Sequence, residues 1–280
     1  MHAPKTTPLI APELLMLAYR GGIFPMAYRR DDPEIFWVEP RLRAILPLDG
    51  FHLSHSLART LRRGRFAVTC NQAFAQVIEA CSAPRPVSRD GDEGGSWISH
   101  RIQASYENLH HLGLAHSIEC WQPGADGARR LVGGLYGVGF DGVFCGESMF
   151  SRERDASKVA IAWLVAALRQ AGVTLLDCQF LTPHLASLGA VEMPQADYVE
   201  MLSAAQSWAG DAGALGDALG PALGPALGPA PGSALAGADG DAAGAGTLPE
   251  GFAALLSLAA SAGLSSSPGK LIAQALTHTS

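Results

Sequence analysis

Residues Leu131–Phe180 read LVGGLYGVGFDGVFCGESMFSRERDASKVAIAWLVAALRQAGVTLLDCQF, an order of strand, tight turn, strand, loop, helix and strand. The turn is Asp141-Gly142, set between two apolar runs, and both residues tolerate the positive φ that a two-residue type I′ hairpin requires. Asp155 or Ser157 can cap the helix that follows, and Gly172 can close it. Val173–Phe180 is short and β-rich enough to be a buried strand. Side chains alternate along a strand, which predicts Glu147 and Met149 on one face and Asp177 and Gln179 together on one face of the next. Carboxylates and an amide inside apolar strands are costly to bury without a use, so the chemistry is expected here.

The rest of the chain supplies a frame for this segment. A chain of 280 residues has room for one large domain or two smaller ones. Its net charge of -6 divides unevenly: residues 1–207 carry 19 Lys+Arg against 21 Asp+Glu, and the remainder 1 against 5. Lys5 and Lys158 are the body's lysines, so arginine supplies most of its positive charge. Arginine suits planar anions and phosphates, although genomic composition also enriches it. The five cysteines are scattered without a Cys-x-x-Cys pair, which suggests neither a disulfide frame nor a zinc site. No signal-peptide pattern opens the sequence, and the strictly apolar run Val159–Leu168 is far short of the ~20 residues of a membrane span. A reduced cytoplasmic protein, monomeric and without a membrane partner, is expected.

From the N-terminus, Leu14–Tyr19 reads as a short helix, and Ile35–Trp37 and Arg43–Pro47 as strands around a Pro40 bend. Leu53–Arg63 is a helix placing Arg59, Arg62 and Arg63 on one face, with Arg65 following. That face is either solvated or a phosphate-contacting patch. Asn71–Cys81 reads as a helix and Ser82–Gly95 as a polar loop. A helix is predicted to open at Ser96-Trp97-Ile98, and Ala115–Trp121 to be a strand. His116 and Glu119 fall on opposite strand faces and make no natural metal pair; no metal site is expected. Gln195–Ala205 reads as a last helix of the body. Beyond Trp208, Ala/Gly/Pro repeats cannot repay ordering entropy, so 208–280 is expected to be mostly disordered, with a weak helix over Phe252–Leu264. The fold class expected is α+β, with a small domain over 1–50 and a larger one over 51–207.

The motifs in combination resemble the bacterial leucyl/phenylalanyl-tRNA–protein transferases. The resemblance is carried by Gly22-Ile-Phe-Pro25, Trp37, Trp97-Ile98, Leu109–Glu119 with Trp121, and Leu131–Val138. It continues through Gly146-Glu-Ser-Met-Phe-Ser151, Ala156-Ser-Lys158, Asp177-Cys-Gln179 and His184–Ala190. It implies a cytoplasmic enzyme moving Leu or Phe, and less readily Met, from Leu-tRNA or Phe-tRNA to proteins with N-terminal Arg or Lys. The product would be an N-end-rule degradation signal. The larger domain would resemble the GCN5-related acyltransferases, and no cofactor would be needed to aminolyse an already activated ester.

Carried over, Gln179 would contact the attacking amine and Asp177 would polarise Gln179 and help accept the proton. Glu147 would bind the cationic side chain of the acceptor. Leu135, Met149, Ile161, Leu164, Leu168 and Leu176 would form the aminoacyl side-chain pocket, or serve simply as core. Trp37 would border the terminal adenosine, and Arg59, Arg62, Arg63, Arg65 and Lys158 would meet the tRNA backbone. Met26 and Phe36 stand where the family usually carries Trp, Asp155 replaces a common Asn, and the tail exceeds the usual length. Two other readings remain: an acyl-CoA-dependent N-acyltransferase, or a non-catalytic tRNA- or N-degron-binding module. The first lacks the glycines that would cradle a pyrophosphate over Ser151–Lys158. The second predicts loss of Glu147, Asp177 and Gln179, which are all present.

Overall fold

The computed structural model describes residues 8–84, 95–124, 127–207 and 246–277. The fold is α+β. Strands β1 (Phe24–Met26) and β2 (Phe36–Val38) pair as a small antiparallel sheet near the N-terminus. The large sheet is built from β3 (Leu42–Ile45), β4 (Ala67–Cys70), β5 (Ala115–Pro123), β6 (Arg129–Phe140), β7 (Val143–Ser151), β8 (Leu175–Gln179) and β9 (Val191–Pro194). Its order is β4-β5-β6-β7-β8-β3-β9, and every pairing is antiparallel except β7 with β8. Strand β3, which sequence alone puts in the small N-terminal domain, therefore lies inside the large sheet between β8 and β9.

The apolar residues that alternate along these strands feed two cores, one per face. On the first face, α2 (His55–Arg62) and α5 (Ala156–Gln170) cover Ile118, Val132, Leu135, Phe144 and Leu176. On the second, α1 (Pro12–Arg20), α3 (Phe74–Ser82), α4 (His100–His111) and α7 (Gln195–Ser207) cover Tyr136, Val138, Cys145 and Leu175. The β6–β7 hairpin turns at Asp141 and Gly142, with φ of 43° and 74°, as the Asp-Gly pair predicts.

Several boundaries differ from the sequence reading for local reasons. Helix α3 begins at Phe74 rather than Asn71, because Ala67–Cys70 pairs with β5 and Asn71 then takes a left-handed φ of 58°. Helix α4 begins after Ser99, whose hydroxyl accepts the Ile102 N–H, so Trp97-Ile98 precede it. Asp155 stands at the α5 N-cap position in the left-handed region without a capping bond, and Ser151 Oγ accepts the Ser157 N–H at 3.2 Å instead. A residue back on β7 thus does the capping.

The C-terminal region departs most from expectation. Residues 208–245 lie outside the described residues, but α8 (Leu248–Ser261) and α9 (Gly269–Thr277) are folded onto the first core. Phe252 lies against Trp163 with ring centroids 5.2 Å apart. Gly251 lets α8 approach closely: a Cβ there would sit 2.1 Å from the Ala167 carbonyl oxygen of α5. This explains why α5 is apolar almost all round: the sheet covers one side of it and α8 the other. Spaced Leu, Phe and Ile supply the bulky periodicity that the preceding Ala/Gly/Pro repeats lack. Phe252→Ala is expected to cost about 3 kcal/mol and to lower the calorimetric Tm by roughly 6–12 °C; an unchanged Tm would show that α8 does not brace α5.

Candidate active site

The site forms where β7 and β8 part. Their parallel ladder runs Val143–Leu175, Phe144–Leu176 and Cys145–Asp177, and stops there. Beyond it the strands are bridged by side chains, with Gln179 Nε2 donating to Glu147 Oε1 at 2.7 Å. Two irregularities aim these groups. The β6–β7 register shifts between Tyr136 and Gly137, so that Ser148 opposes Tyr136, Gly146 opposes Gly137, and Glu147 is the extra residue of a bulge. Across β3, Ala44 opposes Gln179 and Ile45 opposes Asp177, and Gln179 takes a left-handed φ of 63°.

The bulge corrects the expected parity of β7. Glu147 accepts from Tyr106 Oη at 3.3 Å on the second face. Met149, opposite Leu135, packs on the first core instead. One inserted residue puts them on opposite sides of the sheet. Asp177 and Gln179 do share a side, as alternation predicts.

Asp177 is fully buried and saturated with donors. Arg43 Nε reaches its Oδ1 at 2.9 Å and Arg43 Nη2 its Oδ2 at 2.5 Å, a two-bond fork. Tyr198 Oη donates to Oδ2 at 3.1 Å, and the Gln179 main-chain N–H donates to Oδ1 at 2.8 Å. Asp177 therefore meets Gln179 through its main chain, and the carboxylate on the Gln179 amide is Glu147. Arg43 also donates from Nη1 to the Gly22 carbonyl at 2.8 Å. Its guanidinium lies between the rings of Phe24 and Tyr198, 4.9 and 4.4 Å from their centroids. Burial works to lower the Arg43 pKa, but Asp177 outweighs it and holds the guanidinium above its ordinary range.

Glu147 is 8% exposed and has a different environment. Burial pushes its carboxyl up to about 7, while hydrogen bonds from Tyr19 and Gln179 pull the other way and the Asp177 charge adds to the rise. Tyr19 and Tyr106 hydrogen-bond each other beneath it, and burial raises both phenols well above their ordinary range. The hydroxyls of nearby Tyr136 and Ser148 are buried without a protein partner. A carboxyl that changes charge near neutrality can ionise fully when a cation arrives beside it.

The other sequence-derived residues fall into separate groups. Leu135, Ile161, Leu164, Leu168 and Leu176 are buried in the first core, with Met149 packed on it. They are brought together, across the sheet from Glu147. Arg59, Arg63 and Arg65 line a cleft of about 490 Å³ with Ser56, Thr60, Arg154 and Asp155, at the start of α5. Arg62 is exposed on the same helix, and Arg65 is 3.3 Å from Glu153. Lys158 lies close enough to His184 for its charge, after burial, to lower the imidazole pKa. Trp37 pairs with Pro25 and packs on the second core rather than in the arginine cleft.

Sequence reasoning missed Arg43, Tyr198, the tyrosines under Glu147, and Arg154. Arg43 did carry a signal, as the lone cation of the strand Leu42–Ile45, mirroring Asp177 in β8. Among the described residues there is no cluster of His, Cys, Asp or Glu suited to a metal, and no helix long and apolar enough to cross a membrane.

Gln179 is thus held by two carboxylates, Glu147 at its side-chain amide and Asp177 at its main-chain N–H, on the opposite side of the sheet from an aliphatic core. The family model described as leucyl/phenylalanyl-tRNA protein transferase matches residues 45–203, and the model of that family's N-terminal domain matches 9–41. A leucyl/phenylalanyl-tRNA--protein transferase of Novosphingobium aromaticivorans is 64% identical over 276 residues, 97% of both chains. Namesakes from Rhizorhabdus wittichii and Ruegeria pomeroyi are 54% and 51% identical, over 74% of this chain and 79% and 91% of theirs. The chain belongs to the leucyl/phenylalanyl-tRNA protein transferase family. It is an aminoacyltransferase, passing an aminoacyl group from tRNA to protein.

Asp177→Ala would leave Arg43 buried and unpaired. It is expected to cost about 3–5 kcal/mol, measured by urea unfolding, whereas a loss below about 1 kcal/mol would mean that the pair is readily rehydrated.

Proposed function

We propose that the enzyme transfers Leu or Phe, and less readily Met, from Leu-tRNA or Phe-tRNA to the α-amine of proteins beginning with Arg or Lys. The product is an N-end-rule degradation signal, made in the cytoplasm. The observation carrying this reading is the Glu147–Gln179 bridge across the gap between β7 and β8. The aminoacyl side chain enters that gap from the α5 side, toward the part-buried Met149 and the buried Leu135, Ile161, Leu164, Leu168 and Leu176 of the first core. A pocket of this kind tolerates Met because a methylene-scale difference is worth only ~1–3 kcal/mol. The acceptor comes from the opposite side, where the Tyr-lined Glu147 offers its carboxylate to a guanidinium or ammonium.

The chemistry needs modest assistance. The acceptor amine has an ordinary pKa of ~8, so a fair fraction is neutral at cytoplasmic pH. The amine nitrogen attacks the ester carbonyl, the new C–N bond forms, the bond to the ribose oxygen breaks, and the proton lost by the amine ends on that oxygen as the tRNA's ribose hydroxyl. Gln179, with Nε2 held by Glu147, presents its amide oxygen to the amine and orients it. Asp177 accepts from the Gln179 main-chain N–H and so holds its backbone in place. Positioning of two large substrates supplies much of the rate. The tRNA acceptor strand lies along Arg59, Arg62, Arg63 and Arg65, joined by Arg154, with Lys158 further along α5. Trp37 borders the terminal adenosine from the small N-terminal domain.

Transfer of radiolabelled Leu from Leu-tRNA to a protein with N-terminal Arg tests this directly, with acetyl-CoA as a competing donor. Labelling from tRNA is expected; acetylation from CoA without it would overturn the reading. Gln179→Ala should lower kcat by roughly 100-fold with little change in tRNA affinity. Glu147→Gln should raise KM for the basic acceptor by about 10- to 100-fold, the loss of one charge-assisted bond. Below about 7 the Glu147 carboxyl is protonated and a cation is bound less well. The acceptor KM of the wild type should therefore fall as pH rises through that value, beyond any change shared with Glu147→Gln. Identical pH dependence in the two proteins would remove Glu147 from acceptor recognition.

A further inference from the structure

We propose that Arg43 is a positioning residue for aminoacyl transfer, fixing Asp177 so that Asp177 fixes the Gln179 main chain and sets where its amide meets the amine. This inference rests on the role given to Gln179 above.

Stability alone does not call for this arginine. Arg43 is wholly buried, and a buried ion pair is often no more stable than apolar residues of the same volume. What the pair supplies is geometry. Asp177 Oδ1 lies 2.9 Å from Arg43 Nε and 2.8 Å from the Gln179 N–H, so one oxygen is shared between the guanidinium and the main chain of the reacting residue. Gln179 is held at a φ of 63°, a left-handed conformation costing of order 1–3 kcal/mol when not locally compensated. Its N–H bond to Asp177 is the restraint that keeps it there. Were Asp177 free to rotate, Gln179 could relax toward an ordinary strand conformation and turn its side chain away from Glu147.

Arg43 prevents that rotation because it is itself immobilised. It occupies both carboxylate oxygens, the Gly22 carbonyl, and the space between the Phe24 and Tyr198 rings. A lysine ammonium is a single point charge and cannot span these acceptors in one plane. The chain of restraint runs from Gly22 and Phe24 in the N-terminal segment, through Arg43 and Asp177, to Gln179. It makes Gly22 and Phe24 part of the machinery without either touching substrate.

The test is single-turnover and steady-state transfer kinetics with Arg43→Lys, Arg43→Met, Asp177→Asn, Arg43→Met/Asp177→Asn and Gln179→Ala, each checked for folding by circular dichroism. Arg43→Lys and Arg43→Met should lower kcat by roughly 10- to 100-fold, with KM for aminoacyl-tRNA within about threefold of the wild type. The double variant should be no slower than Asp177→Asn, because both changes break one chain of restraint. Full kcat in Arg43→Lys, or effects that multiply in the double variant, would overturn the proposal. If Arg43→Met does not fold, Arg43→Lys and the charge-neutral double variant decide the matter. Wild-type kcat in Gln179→Ala would refute the role of Gln179; a slow Gln179→Ala beside fast Arg43 variants would refute Arg43 alone.

Discussion

The buried pair of Arg43 and Asp177 is the interaction on which the arrangement of the site depends. Two charges taken out of water cost several kcal/mol each unless their hydrogen-bonding capacity is met. Here it is met from four parts of the chain: the Gly22 carbonyl, β3, β8 and Tyr198 of α7. The pair therefore joins the N-terminal segment, the centre of the sheet and the last helix of the body at one point. Removing either partner strands the other, which couples the integrity of the site to that of the sheet around it.

The second constraint is the parting of β7 and β8. A parallel ladder is continuous wherever both strands keep their register, and here it lasts for three residue pairs. The β7 bulge at Glu147 and the irregular β3–β8 register at Gln179 lie just beyond it. Main-chain pairing gives way to the Glu147–Gln179 side-chain bond, leaving polar groups in a gap with different surroundings on its two sides. The α5 side is aliphatic and the α4 side is lined with tyrosines. That asymmetry gives the gap two chemically distinct approaches for two substrates.

Much of this was legible in the sequence, and the failures have physical causes. Asp-Gly between apolar runs gave the hairpin because the turn is decided by two residues. Polar residues in apolar strands marked Glu147, Asp177 and Gln179 because burial of such groups is costly anywhere. Alternation failed for Met149 because a bulge is a property of two strands together. Arg43 escaped notice because its importance lies in a partner 134 residues away. Compositional reasoning undervalued α8 and α9. Their apolar faces are too small to fold alone and acquire worth only against α2 and the outer side of α5.

The most direct measurement is a crystal structure with a leucyl-adenosine analogue whose labile ester is replaced by an amide. The leucyl carbonyl should lie in the gap between β7 and β8, within about 3.5 Å of where an amine held by Gln179 would attack, with its side chain toward α5. Binding with the leucyl group on the tyrosine side, or outside the gap with Glu147 and Gln179 still bridged and untouched, would contradict the assignment of this gap as the place of transfer.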